Sequence, residues 1–201
     1  RHHGRPLTVK GVKKVAPPLE PLNGREIGRL LAVLDGDRWL DKRNVALVSL
    51  MVRAGLRVSE VIALRPDDIQ MSERKGQVLV RQGKGLKERT VPLSRSARAE
   101  VEAYLAERPS FASEWLFVSQ TGKRLSARDV QRLIADASVK AGIRDEVTPH
   151  VLRHTFATRA LQQGNVDLAT LSRLLGHENL STTARYLHPN QSQVAEMVED
   201  L

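Results

Sequence analysis

From Val45 to Val52 the chain reads Val-Ala-Leu-Val-Ser-Leu-Met-Val. Coiled into a helix, this run is apolar on nearly every side. Such a helix has no face to give to water, so the rest of the domain must wrap around it. Gly55, three residues on, is placed to stop it. The chain of 201 residues is long enough for one domain with a real core, plus a tail. Aromatic residues are only 3%, so that core must be built from Leu, Val, Ile and Ala.

The surrounding elements follow from periodicity and caps. Asn23 can cap a helix in which Ile27, Leu30, Leu31 and Leu34 make one apolar stripe. Val58–Leu64 reads as a short helix after Arg57. Three β-type runs come next, Ile69–Met71, Val78–Arg81 and Thr90–Leu93, separated by Glu-Arg-Lys-Gly and Gly-Lys-Gly-Leu-Lys-Glu. That pattern predicts a three-stranded antiparallel meander. Ala97, Val101, Tyr104 and Leu105 mark another helix. A further helix spans Ala127–Ala141, with Val130, Leu133, Ile134 and Ala137 inward. Thr148-Pro149 is a cap followed by proline at the first helical position, and Gly164 is placed to end the helix it starts. Leu168, Leu171, Leu174 and Leu175 line the next helix, closed by Gly176. Ser181-Thr182-Thr183 can cap a short helix bearing Tyr186. The expected fold is α+β, a mostly helical domain with a small three-stranded antiparallel sheet.

Both ends differ from the middle. Residues 1–21 show no period, carry Arg1, Arg5, Lys10, Lys13 and Lys14, and hold no acid before Glu20. They read as a basic interdomain linker, with a disordered tail as the competing reading. The sequence opens Arg-His-His-Gly rather than with Met, consistent with a piece of a longer protein. Residues 22–190 form the expected domain. In 191–201, Val194, Met197, Val198 and Leu201 fall at helical spacing beside Glu196, Glu199 and Asp200, giving a short amphipathic tail helix with an acidic face.

Charge and composition narrow the function. Lys plus Arg number 32 against 23 Asp plus Glu, for a net charge of +9. The excess favours a polyanionic partner, nucleic acid first and an anionic membrane second. No apolar run approaches the ~18 residues of a membrane span, and no secretory signal opens the chain. With no cysteine there is no disulfide framework, thiol nucleophile or Cys-ligated zinc, and a cytoplasmic location is expected.

Six residues stand out for chemistry. Arg57 lies in Ala-Gly-Leu-Arg-Val-Ser-Glu, and Lys84 in the Gly83-Lys84-Gly85 hairpin. His150 and Arg153 share Pro-His-Val-Leu-Arg-His. His177 and Tyr186 lie nine positions apart in Leu-Gly-His-Glu-Asn-Leu-Ser-Thr-Thr-Ala-Arg-Tyr. A phenol accompanied by dispersed arginines and histidines suits phosphate chemistry done without metal. Arginine grips two non-bridging oxygens with a fork that keeps its charge, and Arg57 and Arg153 can clamp from opposite sides. The histidines can donate hydrogen bonds or move protons near neutral pH. Lys84 can reach a leaving 5′-oxygen, and Tyr186 can attack.

Each residue also has a plainer reading. Arg153 can pair with a buried carboxylate, His150 can cap a helix start, and His177 can favour a helix C-terminus. Gly-Lys-Gly alone is a turn, and a lone tyrosine is commonly core. Lys87 and Arg89 can trade roles with Lys84 or only touch DNA backbone. His150 and His154 have the i, i+4 spacing of a helical zinc site, but no Glu lies between them and Arg153 would repel the cation.

Taken together and in order, the strings 54–60, 83–93, 148–158 and 174–186 resemble the tyrosine recombinase or phage-integrase family, over roughly residues 20–201. The resemblance implies a site-specific DNA recombinase that cleaves and rejoins strands through a 3′-phosphotyrosine and a Holliday junction, with no metal, ATP or other cofactor. It implies Arg57 and Arg153 as catalytic arginines, Lys84 as general acid, His150 as base toward the tyrosine, His177 as the second histidine and Tyr186 as nucleophile. The implied partner is double-stranded DNA. The full-length protein is expected as a homotetramer on two duplexes, each tail docking on its neighbour; this fragment is expected as a monomer, with docking of the tail on its own domain as the alternative. Two rivals remain: a type IB topoisomerase-like enzyme that reseals the same strand, and a DNA-binding protein without catalysis.

The charge distribution carries its own test. Log affinity for duplex DNA should fall linearly with log salt, with a slope set by the phosphates contacted. Deleting residues 1–18, and with them five cations, should flatten that slope in a fluorescence-anisotropy titration.

Overall fold

The computed structural model describes residues 20–81, 88–143, 147–163 and 166–176, together with Thr183. Lys84, Lys87, Gly164, His177, Tyr186, residues 1–19 of the expected linker 1–21 and the expected tail helix 191–201 lie outside the described residues. Helices and strands follow in the order α1 (Gly24–Ala32), α2 (Trp39–Ala54), α3 (Val58–Val61), a 3-10 turn (Pro66–Asp68), β1 (Ile69–Met71), β2 (Gly76–Val80), β3 (Arg89–Pro92), α4 (Arg95–Glu107), α5 (Ala127–Lys140), α6 (Pro149–Gln162) and α7 (Leu168–Leu175).

The apolar run lies at the centre, in α2. Ala46, Leu47, Val48, Leu50 and Met51 are wholly inaccessible, and α2 packs against α1, α3, α4 and α6. The one polar residue of the run 45–52, Ser49, is also buried and donates its hydroxyl to Glu100 of α4, as a buried polar group requires. Asn23 caps α1 reciprocally: its Oδ1 accepts from the Glu26 amide at 3.0 Å, and Glu26 accepts from the Asn23 amide at 2.8 Å. Thr148 caps α6 through the Val151 amide, with Pro149 in the first turn as read from the sequence. Thr155, one turn into α6, accepts from the Leu22 amide at 2.9 Å and so ties the entry of α1 to this helix.

The sheet has the order β1-β2-β3, antiparallel throughout. Val78 pairs with Val91 and both are buried, whereas Gln70 and Gln77 pair on the outer face. In β3 the period of two puts Arg89 on the same face as Val91, opposite Val80. β3 packs against α7.

Several boundaries differ from the sequence reading: β2 ends at Val80 rather than Arg81, β3 runs Arg89–Pro92 rather than Thr90–Leu93, and α5 ends at Lys140 rather than Ala141. The helix after Arg57 ends at Val61 rather than Leu64. Pro66 holds Arg65 extended, and the Leu64 carbonyl accepts from the Leu116 amide at 2.7 Å. The middle strand begins at Gly76, two residues earlier than expected, because Gly76 still pairs with Met71.

Tyr104 is fully buried in α4, donates its hydroxyl to the Leu116 carbonyl at 2.8 Å and stacks on Phe117 with ring centroids 5.4 Å apart. Burial pushes its phenol above the usual value. Among the described residues, no helix is long and apolar enough to cross a membrane.

Gly55 closes α2 in the left-handed region, at φ 69°. A Cβ there would lie 2.3 Å from Cδ1 of Phe156 on α6. Gly55→Ala therefore combines a strained backbone with overpacking and should lower the unfolding free energy by about 2–4 kcal/mol, read as a reduced urea midpoint at unchanged slope.

Candidate active site

Arg57 is the N-cap of α3, Arg89 opens β3, and Arg153 sits in the second turn of α6. These three separate elements bring their guanidinium groups to one place, around the carboxylate of Glu60 in α3. Arg57 Nη1 donates to Glu60 Oε1 at 2.9 Å, and its backbone amide to Oε2 at 2.7 Å. Arg89 grips the same carboxylate with both prongs, Nη1 to Oε1 and Nη2 to Oε2, each at 2.9 Å. Arg153 Nη1 stands 4.0 Å from Oε2.

The same arginines also reach the end of α7. The last carbonyls of a helix lack intrahelical donors and carry its negative pole. Here Arg89 Nε donates to the Leu174 carbonyl at 2.7 Å. Arg153 Nη2 donates to Leu175 at 2.6 Å, and Arg57 Nη2 to Gly176 at 3.1 Å. Three consecutive carbonyls thus take one arginine each. Arg153 Nη1 completes the set by donating to the Gly55 carbonyl at 2.6 Å, at the end of α2. Gly176 turns the chain in the left-handed region, at φ 62°, and His177 follows it in sequence.

Access differs among the three. The Arg57 side chain is 37% exposed, Arg89 10% and Arg153 5%. Among the described residues, two of the five N–H donors of Arg57 are committed, to Glu60 and Gly176, and its side chain is the most open of the three. Among the described residues, three guanidinium groups face one carboxylate, an excess of positive charge suited to an anion. His150 lies in the first turn of α6, exposed, three residues before Arg153 and therefore on the neighbouring helical position.

Burial alone would push the Glu60 carboxyl up. The Arg89 fork, the Arg57 amide and the charges of both arginines outweigh it, and the carboxyl lies below its ordinary range. Glu60 is thus a buried anion held ionised by its partners.

The structure brings together Arg57 and Arg153, with His150 on the same helix as Arg153. It adds to the reading of Arg89, whose guanidinium is nearly buried and engaged by Glu60 and the Leu174 carbonyl. Glu60 was missed as a site residue. Its signal was present in the spacing Leu56, Glu60, Leu64, which puts a carboxylate on a buried face.

The family model for the phage integrase family matches residues 20–193, and this chain belongs to that family. It is 42% identical over 201 residues to tyrosine recombinase XerD of Caulobacter vibrioides, a match covering 95% of this chain and 64% of that protein. It is 43% identical over 183 residues to tyrosine recombinase XerA of Thermococcus kodakarensis, covering 87% of this chain and 62% of that protein. The chain therefore spans somewhat under two thirds of these relatives. Among solved structures, a XerA recombinase crystal structure superposes with a TM-score of 0.80 at 34% identity, covering 95% of this chain and 66% of that one. The XerH site-specific recombinase bound to palindromic difH substrate, a post-cleavage complex, superposes with a TM-score of 0.76 at 28% identity, covering 90% of this chain and 52% of that one.

Because the Glu60 pKa is lowered on folding, its stabilising contribution is complete above the usual carboxylate range and is lost as pH falls through the lowered value. Glu60→Gln leaves three arginines without their counter-ion and should cost about 3–5 kcal/mol at about pH 7. The gap to wild type should narrow as pH falls through the lowered carboxyl value, where the wild-type carboxyl gains its own proton; urea midpoints across an acidic pH series check it.

Proposed function

We propose that this chain is the catalytic domain of a site-specific DNA recombinase that breaks and rejoins strands through a 3′-phosphotyrosine. The observation that carries this reading is the convergence of Arg57 and Arg153 on one buried carboxylate and one helix end, two residues before His177 in sequence from the last of Arg153's acceptors. The arrangement supplies fixed positive charge where a pentacoordinate phosphorane would develop its negative charge. The partner is double-stranded DNA, a reading supported by the likeness to the XerH site-specific recombinase solved bound to difH substrate.

In this reading the Tyr186 oxygen forms a bond to phosphorus while the bond from phosphorus to the 5′-oxygen breaks. The phenol proton passes to His150, and Lys84 gives a proton to the departing 5′-oxygen. Arg57 reaches the non-bridging oxygens from the more open side and Arg153 from the buried side, with His177 donating a further hydrogen bond. A 5′-hydroxyl of a partner duplex then reverses the step through a Holliday junction. The full-length protein assembles as a tetramer on two duplexes, with residues 1–21 as its interdomain linker and 191–201 as the segment that docks between subunits. The placement of Tyr104 in the core favours Tyr186, the other of the two tyrosines, as nucleophile.

Three measurements test the reading. Tyr186→Phe should abolish covalent attachment to a nicked suicide duplex while folding and DNA affinity persist, and mass spectrometry of the wild-type adduct should place DNA on Tyr186; an adduct elsewhere overturns the assignment. With sulfur in place of the bridging 5′-oxygen the leaving group needs no proton, so Lys84→Ala should regain cleavage and Arg153→Ala should not. Cleavage should also persist in excess EDTA, because the stabilising charge comes from side chains.

A further inference from the structure

Arg89 is the least expected member of the cluster. A strand residue on a core-facing position is normally apolar, and its neighbours on that face, Val91 and Val80, are buried. A buried guanidinium is costly unless its donors are matched. Here the match is specific: two parallel bonds to Glu60 and a third, from Nε, to the Leu174 carbonyl. Lysine, with one nitrogen at the end of a flexible stem, cannot make this three-point contact. The carboxylate it grips is the one that receives both the side chain and the backbone amide of Arg57. The helix end it grips is the one whose next two carbonyls receive Arg153 and Arg57.

We propose that Arg89 is a positioning residue for cleavage, setting the place of the Arg57 guanidinium through Glu60 and through the end of α7. It does not touch DNA. Its action is indirect, on the negative charge that Arg57 meets at the phosphate, so the proposal rests on the reading of Arg57 as a phosphate clamp. A residue needed only for folding would depress cleavage of every substrate alike. One acting through the clamp should matter less when the substrate carries less charge.

The test uses the full-length protein and a suicide duplex whose cleavage site is first mapped by covalent capture of wild type on a random-sequence duplex library. The duplex is made with either a normal phosphodiester or a neutral methylphosphonate at the scissile position. On the phosphodiester, Arg57→Ala and Arg89→Ala should each reduce the rate of covalent complex formation by about 100-fold or more, the scale of losing one oxyanion donor. On the methylphosphonate both deficits should shrink together to within about tenfold of wild type. Arg89→Lys retains the charge, should stay folded by thermal melting and circular dichroism, and should show the same substrate-dependent pattern if Arg89→Ala unfolds. A deficit of Arg89→Lys equal on both substrates, with Arg57→Ala relieved, makes Arg89 merely structural and overturns the proposal. Wild-type cleavage by both Arg89 variants overturns it as well. If Arg57→Ala itself is not relieved, the clamp reading fails, and the route assigned to Arg89 fails with it.

Discussion

One buried carboxylate organises this domain. Glu60 sits beneath three arginines drawn from a helix cap, a strand and a helix interior, and its charge is what allows those cations to share a small, largely dry volume. Two like unit charges about 4 Å apart repel by about 4 kcal/mol even at an effective dielectric constant of about 20. Without the carboxylate, at least one guanidinium would have to turn outward, and with it would go the helix end it holds. The buried anion contributes by making a dense cationic site possible more than by net stability, since a buried ion pair seldom exceeds a well-packed apolar substitute.

The end of α7 is the second half of the same device. Among the described residues its apolar anchorage is slight: Ala157, Leu171 and Leu175 form a small cluster of their own, with Phe156, Ala160, Leu161 and Val166 packed against it. Arginine-to-carbonyl bonds supply much of what fixes its position. Each arginine is thereby held between two acceptors, a carboxylate or the Gly55 carbonyl on one side and a helix end on the other. Two fixed acceptors pre-align a planar guanidinium, and pre-alignment before the anion arrives is what lets electrostatic stabilisation act without reorganisation at the moment of reaction.

Much of this was legible in the sequence. The apolar run of α2, the Asn23 and Thr148 caps, the glycine stops at Gly55 and Gly176 and the three-strand meander follow from local rules, and local rules governed those segments. Arg57 and Arg153 were legible as a pair through the family resemblance. What could not be read was their meeting on Glu60, because nothing local says that strand β3 and helix α7 lie side by side. Arg89 was the nearest miss. The alternation Arg89-Thr90-Val91 already placed it with buried residues, but its neighbours Lys84 and Lys87 suggested a surface cation. The short helix overran at its C-terminal end because the demand for the Leu64 carbonyl comes from Leu116, 52 residues away in sequence.

The Gly55 carbonyl links these matters in a way that concerns exchange of sequence rather than strength. Gly55 ends the central helix, lets Phe156 approach where a methyl group would collide, and hands its oxygen to Arg153. Phe156 and Arg153 lie three residues apart on the same helix. A single backbone position thus sets both the spacing of α2 from α6 and the seat of a cluster arginine. Any sequence grafted into α6 would therefore have to supply both an arginine at 153 and a side chain at 156 that fits against Gly55, although the two segments lie far apart in the chain.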